Sequence, residues 1–355
     1  MRVISLFTGC GGLDLGFHNA GFEIVFANDN DKAVWETYKN NFNIEMDGRS
    51  ITEIGSNELP DAEGMIGGPP CQSWSLAGKM LGVKDKRGRL FYEYVRILKD
   101  KKPLFFVAEN VPGIISSTHI KEFNSILKEF ELAGYNVSYK LLDARDYGVP
   151  QERRRVVVVG YRKDIGVKFE FPRATHSGVK VLYNTKRWVS LKEAIGDLPE
   201  ALPGQLKNYP NPGLKVSNNE YMIGSFSTIY MSRNRLKSWD SQSFTIQAGG
   251  RHAPLHPSST KMKKVSKNRW VFDSEKPKYR RLSVREAARV QTFPDSFIFY
   301  YKNIADGYKM VGNAVPVKLA EAIASKIYDD LKIKAQNKVS RSKRLRAIAI
   351  SSRKR

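Results

Sequence analysis

Short apolar runs alternate with amphipathic stretches along the first half of the chain, and the β-branched and aromatic residues of these runs favour β-strands. The predicted strands are Val3–Phe7, Ile24–Asn28, Gly64–Gly67, Leu104–Glu109, Val137–Leu142 and Val156–Tyr161. The predicted helices between them are Lys32–Asn40, Leu90–Lys99 and Ile120–Ala133. Strands that alternate with helices are typical of an α/β fold with a doubly wound, Rossmann-like sheet, which we expect for residues 1–170.

The hydrophobic pattern changes after this domain. Residues 171–280 are dense in proline, glycine, asparagine and serine and lack clear periodicity, which predicts a second, loop-rich domain. Helical periodicity returns at Ser283–Gln291, where Ser283 and Glu286 have the spacing of a capping box.

The last part of the chain divides in two. Residues 281–331 are predicted to form a hinge and a return to the first domain, through a helix at Pro316–Leu331. Residues 332–355 carry many cations and no acidic residue. This composition predicts a disordered basic arm that adds non-specific affinity for a polyanion.

Composition narrows the class of protein. Only Cys10 and Cys71 are present and the five histidines are scattered, so we expect no disulfide scaffold and no metal site. No apolar stretch approaches the ~18 residues needed to span a membrane. A formal net charge of +23 points to a polyanionic partner. Nucleic acid is favoured over a membrane surface, because no basic amphipathic helix with aromatic anchors is apparent.

Cys71 lies directly after two prolines, Pro69 and Pro70, at the end of the predicted strand Gly64–Gly67. Prolines stop a helix and fix the backbone, and α/β folds place ligand sites at the carboxyl ends of their strands. These features predict a presented nucleophile. A buried structural cysteine is the alternative that this segment alone leaves open.

A glycine-rich turn, Phe7–Phe17, follows the first strand and leads into a helix. Such turns let a ligand approach the backbone closely, although this one is not a clean dinucleotide-binding fingerprint. The second strand ends at Asn28 and Asp29, where a carboxylate can accept hydrogen bonds from ribose hydroxyls. The turn and the acid together favour an adenosine-containing cofactor.

Polar groups also flank two other apolar strands. Burial of Glu109 at a strand end would raise the pKa of its carboxyl and make it a proton donor near neutral pH, with helix capping as the alternative. Arg153 and Arg155 precede the strand Val156–Tyr161 and point to one face of it. Two arginines on one face suit phosphate or carbonyl recognition, with a solvated charged edge as the alternative.

The order of these motifs resembles the DNA (cytosine-5)-methyltransferase family. The matching blocks, in the order of the family, are Phe7–Gly16, Asn28–Asp29, Pro69–Gln72, Arg87–Phe91, Glu109–Val111, Gln151–Arg155, Arg281–Pro294 and Gly312–Pro316. They span most of the chain, and the resemblance implies a methyltransferase fold that acts on cytosine in DNA.

The resemblance also implies the catalytic roles. Cys71 would add to C6 of a flipped-out cytosine, so that C5 can take the methyl group. Glu109 would protonate or hydrogen-bond N3, Arg155 would hold O2, and Arg153 would help with phosphate and site geometry. The segment Gln72–Arg89 would be the loop that closes over the base.

The cofactor that the resemblance implies is S-adenosylmethionine. The residues at the positions of the family's cofactor contacts are Phe7, Cys10, Gly12, Asp29, Ser50, Ile51, Pro70, Leu90 and Asn313. Ser50 departs from the family, which has an aspartate there for the adenine amino group. Asp47 is the candidate substitute.

The loop-rich region corresponds to the family's target-recognition domain, and its sequence resembles the subgroup that methylates the inner cytosine of GGCC. Arg233, Arg235 and Arg251 suit a guanine-rich site, because arginine binds guanine O6 and N7 bidentately; contacts to phosphates alone are the alternative. The resemblance implies a monomer on double-stranded DNA in the bacterial cytoplasm, associated with the nucleoid. It also implies a partner restriction endonuclease with the same site.

Three other functions stay open on the sequence. A branch of the family methylates transfer RNA with the same motifs, but the long, arginine-bearing recognition region favours DNA. A catalytically silent DNA-binding protein would not need Cys71 and Glu109. A nicotinamide oxidoreductase would leave the prolyl-cysteine block and the positive charge unexplained.

Overall fold

The structure is a computed structural model and describes residues 1–70, 90–178 and 184–352. The strands are β1 (Arg2–Leu6), β2 (Glu23–Asn28), β3 (Gly64–Gly67), β4 (Phe105–Asn110), β5 (Tyr135–Asp143), β6 (Arg154–Arg162), β7 (His176–Ser177), β8 (Lys186–Arg187), β9 (Leu202–Pro203), β10 (Glu220–Tyr221), β11 (Met262–Ser266) and β12 (Arg269–Phe272). The helices are α1 (Gly12–Asn19), α2 (Lys32–Phe42), α3 (Leu90–Lys101), α4 (Ile120–Leu132), α5 (Leu191–Ile195), α6 (Val284–Val290), α7 (Ile304–Asn313) and α8 (Val317–Ser352).

The first six strands form one sheet in the order β2-β1-β3-β4-β6-β5. The first four run parallel, whereas β6 is antiparallel to both β4 and β5. All strands predicted from the apolar runs are present, and so are the three helices predicted between them. The predicted α/β class with a Rossmann-like sheet is therefore confirmed.

Hydrophobic cores cover both faces of this sheet. Val157 and Val159 of β6 lie in the core that α1 and α8 cover, whereas Val156 and Val158 lie in the core under α3 and α4. A side-chain period of two sends successive residues to opposite faces, so a strand buried on both sides appears in the sequence as an unbroken apolar run. Burial on both faces fixes the sheet as the rigid base of the molecule.

The chain between β6 and α6 consists of short strands, single helical turns and one antiparallel hairpin, β11–β12. The predicted capping box closes this region: the Ser283 hydroxyl accepts a hydrogen bond from the Glu286 amide at 3.0 Å, and the Ser283 amide donates to the Glu286 carboxylate at 2.8 Å. Arg280 donates to the same carboxylate through both terminal nitrogens at 2.8 Å. These buried polar contacts join the loop-rich region to α6.

Two helices differ from the sequence prediction. The pattern gave no helix at α7, and it ended the last helix at Leu331 with a disordered arm beyond, whereas α8 continues to Ser352. No glycine or proline lies between residues 317 and 352, so nothing in the sequence stops the helix. None of the helices among the described residues is long and apolar enough to cross a membrane.

Candidate active site

A cleft of about 650 Å³ opens at the carboxyl ends of β1 to β4. Its volume is in the range of small-molecule and cofactor sites, and its position is where parallel sheets bind ligands. The predicted cofactor residues that line it are Phe7, Cys10, Asp29, Ser50, Ile51, Pro70, Leu90 and Asn313. The structure thus brings together residues from both ends of the chain.

Gly12 is the predicted cofactor residue that does not line the cleft. It begins α1, and a side-chain Cβ there would lie only 2.4 Å from the Val315 carbonyl oxygen. The residue must therefore be glycine so that α1 can approach the chain at residues 314 and 315. In this structure the observed role of Gly12 is to allow the close packing of α1.

The glycine turn after β1 has the backbone shape of a ligand cradle. Phe7 and Gly9 both have φ of 55°, in the left-handed region, and the space where a Gly9 side chain would lie is open. The Gly9 amide donates to the Asp29 carboxylate at 2.8 Å. This bond fixes the turn after β1 to the end of β2.

Asp29 lies on the cleft wall with one carboxylate oxygen bonded to Gly9 and the other accepting from the Asp31 amide at 2.9 Å. Burial raises the pKa of this carboxyl, and the two amide donors oppose the rise. Each carboxylate oxygen keeps a free lone pair. Asp29 can therefore accept hydrogen bonds from a diol such as ribose.

Two titratable groups behind the turn are buried. The Cys10 thiol donates to the Met310 carbonyl at 3.4 Å, and burial raises the pKa of the thiol well above its usual range. Asp14 accepts a hydrogen bond from the Ser5 hydroxyl at 2.5 Å, and burial raises the pKa of its carboxyl to about 7. Cys10 thus joins the turn to α7, as a neutral thiol.

Ser50 lies on the cleft wall at the position predicted to contact the adenine amino group. The Ser50 hydroxyl caps a helical turn by accepting from the Thr52 amide at 3.4 Å, and it lies 2.8 Å from the Thr52 hydroxyl. The candidate substitute, Asp47, is bound by the Arg49 guanidinium at 2.6 Å, which lowers the pKa of its carboxyl. Asp47 does not line the cleft. Substitution by Asp47 is therefore not supported.

Glu109 and Arg155 form an ion pair of 2.7 Å, and each side chain is only 12% exposed. Glu109 lines the cleft at the end of β4. The next residue, Asn110, donates from its side-chain amide to the Pro69 carbonyl at 3.2 Å. This bond ties the chain just before Cys71 to the strand that carries the acid.

Cys71 itself and the segment Gln72–Arg89 lie outside the described residues. The described chain reaches Pro70 on one side and resumes at Leu90 on the other, and both of these residues line the cleft. Both flanks of the predicted nucleophile and loop therefore lie at the cleft.

Arg153 does not face solvent, and the phosphate contact predicted for it is wrong. Its side chain is 1% exposed and donates to the carbonyls of Ile246, Gly312 and Ala314, each at 2.9 Å. Its Nε has no partner among the described residues, and burial lowers the pKa of the guanidinium. Arg153 is a junction between the sheet, the loop-rich region and the end of α7.

A buried amide network beside Arg153 was not singled out from the sequence. Gln151 donates to the Gln291 side chain at 2.5 Å and accepts from the Ile246 amide at 3.1 Å. Gln291 in turn donates to the carbonyls of Val311 and Ala314 at 2.7 and 3.1 Å. Both glutamines lie inside matched motif blocks, but only their tertiary partners show that they hold the cleft wall.

The three arginines predicted for DNA recognition lie close together but differ in exposure. Arg233 and Arg251 are exposed, whereas Arg235 is 6% exposed and donates to the carbonyls of Tyr230 and Ile229 at 2.9 and 3.3 Å. Burial lowers the pKa of His252, and the positive charges of these three arginines and of a fourth lower it further. The site is therefore a dense cationic patch.

The fourth arginine of the patch, Arg281, was not among the predicted site residues. It donates to the carbonyls of Met222, Gly224 and Ser225 and lies 4.3 Å over the Phe226 ring. Burial lowers the pKa of its guanidinium. Arg281 begins the matched block Arg281–Pro294, which was the only sign in the sequence that it matters. The sequence did not show that it shapes the loop at residues 222–226.

The sheet and its cleft have the architecture of a Rossmann-like methyltransferase. Among solved structures, a presumed DNA modification methyltransferase encoded within an E. coli prophage superposes with a TM-score of 0.69. The two sequences are 23% identical, and the match covers 94% of this chain and 99% of that one, which shows a common fold.

Sequence comparison gives the family. A model of the C-5 cytosine-specific DNA methylases matches residues 1–329. The Type II methyltransferase M.MthTI of Methanothermobacter thermautotrophicus is 59% identical over 333 residues, which cover 93% of this chain and 98% of that protein. M.FnuDI of Fusobacterium nucleatum, also a Type II methyltransferase, is 53% identical over 335 residues, with 93% and 95% covered.

The chain therefore belongs to the C-5 cytosine-specific DNA methylase family. It is a DNA (cytosine-5) methyltransferase with close Type II relatives.

Proposed function

We propose that the protein transfers a methyl group from S-adenosylmethionine to C5 of a flipped-out cytosine in duplex DNA, at the inner cytosine of GGCC. The observation that carries this proposal is the Glu109–Arg155 pair beside the cleft. N3 and O2 are neighbouring acceptor atoms on one edge of cytosine. A carboxyl and a guanidinium held side by side match that edge, which a base presents fully only when it leaves the duplex.

The residues of the cleft fit S-adenosylmethionine. Asp29 offers carboxylate lone pairs to the ribose, and the open space at Gly9 admits a ligand against the backbone. Asn313 and Leu90 also line the cleft. The Ser50 hydroxyl, although it caps a turn, keeps acceptor capacity for the adenine amino group. When bound, the cofactor supplies an electrophilic sulfonium methyl group.

Catalysis then follows from the residues of the chain. The Cys71 thiolate adds to C6, and the electron pair of the C5–C6 bond moves to C5. C5 would then attack the methyl carbon while the bond from that carbon to the sulfonium sulfur breaks and its electron pair stays on the sulfur. The Glu109 carboxyl hydrogen-bonds or protonates N3, and Arg155 donates to O2, so charge on the ring is neutralised as the adduct forms. A base removes the C5 proton, the double bond re-forms and the thiolate leaves.

Recognition of GGCC is assigned to the cationic patch. Arg233 and Arg251 are exposed and have free donor forks for guanine O6 and N7. The Nε and one terminal nitrogen of Arg235 already donate to carbonyls of the loop. We therefore propose that Arg235 mainly holds the loop in shape and contributes less to base contacts than the other two arginines.

The test of the function is bisulfite sequencing of DNA from cells that express the protein. We expect 5-methylcytosine at the inner cytosine of GGCC, and none from a Cys71→Ser variant. Methylation in another sequence context would overturn the GGCC assignment alone. Label on adenine or on cytosine N4, in an assay with radiolabelled S-adenosylmethionine, would overturn the mechanism.

We also propose that the protein protects DNA against a restriction endonuclease with the same site and acts as a monomer. Support comes from its relatives, which are Type II methyltransferases. DNA modified by this protein should resist cleavage by an endonuclease that cuts GGCC. Size-exclusion chromatography with light scattering should give the mass of one chain, alone and with a single-site duplex.

A further inference from the structure

The antiparallel hairpin β11–β12 is the most strongly charged exposed element among the described residues of the loop-rich region. We call residues 261–273 the basic hairpin. Its cations within the first nine residues are Lys261, Lys263, Lys264, Lys267 and Arg269, with no acidic residue among them. All five side chains are exposed, and Lys263 forms an ion pair of 2.7 Å with Asp273. The other four have no acid beside them in sequence.

Aromatic contacts on the apolar side of the hairpin fix it to the cationic patch. Phe272 stacks on Tyr279 with ring centroids 4.4 Å apart, and Tyr279 contacts Phe226 at 5.2 Å. Phe226 stacks in turn on Tyr230 at 4.3 Å, directly before the segment that carries Arg233. This row of rings holds the hairpin at a defined place beside the exposed recognition arginine.

A second contact fixes the other strand of the hairpin. The Arg235 amide donates to the Met262 sulfur at 3.4 Å, and the Asp273 amide donates to the Lys261 carbonyl at 2.8 Å across the hairpin. The turn is closed by Asn268 with φ of 58°, a left-handed conformation that asparagine tolerates. The cations therefore lie on a defined element and not on a loose loop.

We propose that the basic hairpin binds backbone phosphates of duplex DNA outside the recognised base pairs. The proposal rests on the proposed function of the chain as a duplex-DNA methyltransferase. A five-residue strand spans about 17 Å, the length of about five base pairs of duplex. A hairpin anchored beside Arg233 can therefore reach phosphates that flank a four-base-pair site. Exposed lysines and arginines are complementary to that surface.

The alternative is that the cations only protect an exposed strand edge. Lysines on edge strands prevent pairing with other chains, and this role needs no DNA. The two roles differ in two measurable respects. Phosphate contacts release counterions and depend on the length of the flanking DNA, whereas protection of an edge depends on neither.

The experiment compares equilibrium binding to two duplexes, each with one GGCC site. One carries flanks of about two base pairs on each side, shorter than the hairpin's reach, and the other carries flanks of about ten. The variant combines Lys264→Gln, Lys267→Gln and Arg269→Gln, which are exposed and leave the apolar side intact. A matched control combines Lys121→Gln, Lys128→Gln and Lys140→Gln, three exposed cations on α4 and β5.

On the long duplex we expect the hairpin variant to lose about 2 to 3 in the slope of log K against log salt, and about tenfold or more in affinity at low salt. On the short duplex its slope should equal that of the wild type. The control variant should match the wild type on both duplexes. Thermal melting of each variant shows that the fold is kept.

Three results would overturn the proposal. An unchanged slope on the long duplex would assign the cations to protection of the edge. An equal loss on both duplexes would place the contacts inside the recognised site. An equal loss in the control variant would make the effect one of total charge. Failure of the wild type to bind either duplex would instead overturn the proposed function itself.

Discussion

Glu109 and Arg155 are the side chains whose chemistry depends most directly on each other. Each is nearly buried, and each would be costly to bury without the other. The ion pair also explains how the carboxyl group of Glu109 can lie at the end of a strand as apolar as β4. The Arg155 guanidinium holds the carboxyl group of Glu109 in place at the cleft.

Glu109→Gln tests the acid. Glutamine keeps the size and hydrogen-bonding reach of glutamate but cannot deliver a proton to N3, so we expect single-turnover methyl transfer to slow by about 10²- to 10⁴-fold. Glu129→Gln, which removes a partly exposed carboxylate paired with Lys99 outside the cleft, should leave the rate unchanged. A Glu109→Gln enzyme with wild-type turnover would rule out proton transfer by this residue.

Asp14 gives a prediction for stability against pH. Burial raises the pKa of its carboxyl to about 7, so the folded state binds a proton that the unfolded chain releases near pH 4. The stabilisation is complete below pH 4 and is lost as the pH rises through 7. Asp14→Asn should therefore be more stable than the wild type at pH 8, by on the order of 1 to 3 kcal/mol.

The measurement is urea unfolding of both proteins at pH 5.5 and pH 8, two values on either side of about 7. The difference in free energy of unfolding between variant and wild type should grow with pH. A difference that is the same at both pH values would show that Asp14 is ionised in the folded protein throughout this range.

At the scale of elements, α6 depends on its capping box. Ser283 is fully buried, and its hydroxyl makes two hydrogen bonds. It caps α6 by accepting from the Glu286 amide, and it donates to the Asn219 side chain at 2.8 Å. Ser283→Ala removes both bonds and leaves buried polar groups unpaired, so we expect a loss of about 2 kcal/mol in the free energy of unfolding. Ser190→Ala, in the capping box of the five-residue α5, should cost about 1 kcal/mol or less.

Urea unfolding of the two cap variants beside the wild type tests this order. Because the Ser190 hydroxyl also donates to the Glu193 carboxylate at 2.7 Å, equal losses would mean that the buried Asn219 bond contributes no more than this one. A larger loss for Ser190→Ala would contradict the prediction that the buried contacts of Ser283, which join the loop-rich region to α6, contribute more than an ordinary cap.

The strands were predictable because their signal is local. An unbroken run such as Val156–Val159 has one low-energy place in a protein, a strand buried on both faces. Helix α7 was missed because Gly307 and Gly312 interrupt its pattern. Both glycines are required by neighbours outside the helix: a Cβ at Gly307 would lie 2.6 Å from the Tyr301 ring, and a Cβ at Gly312 would lie 2.3 Å from the Gln247 backbone, which is distant in sequence.

The same reasoning separates the site residues that the sequence predicted from those it did not. The edge of the sheet is fixed by the strands, so the residues that follow β1 and β2, such as Phe7 and Asp29, had to lie at one cleft. Arg153 was misassigned because an arginine before a strand has no local mark of burial. Its three acceptors belong to segments around residues 246 and 313, whose positions are set by the tertiary fold.

At the scale of the whole molecule, Arg153 connects the two binding functions. Two of its acceptors flank Asn313, which lines the cleft proposed to bind the cofactor, and the third is Ile246, in the segment that leads to Arg251. A shift of either segment must stretch or break a bond to the same guanidinium. We therefore expect binding of DNA and of cofactor to be coupled through it.

Arg153→Lys tests this coupling. Arginine reaches the three carbonyls from two separate nitrogens, whereas lysine keeps the charge but has only one. The gain in cofactor affinity on adding DNA, typically about 5- to 150-fold in coupled systems, should therefore shrink toward one. Isothermal titration with and without duplex measures it. Arg154→Lys, at the exposed next position, is the control and should retain the coupling. Full coupling in the Arg153 variant would leave that residue a purely structural role.

The reversed direction of β6 has a consequence for how this enzyme can be re-engineered. In a sheet whose strands all ran one way, a residue that precedes a strand and one that ends its neighbour would lie at opposite rims, separated by the length of the strand. Because β6 runs against β4, the start of one meets the end of the other, and Arg155 reaches Glu109. A redesign that re-threads the sheet must therefore keep β6 antiparallel to β4, whereas a circular permutation with new termini in a loop leaves this pairing unchanged.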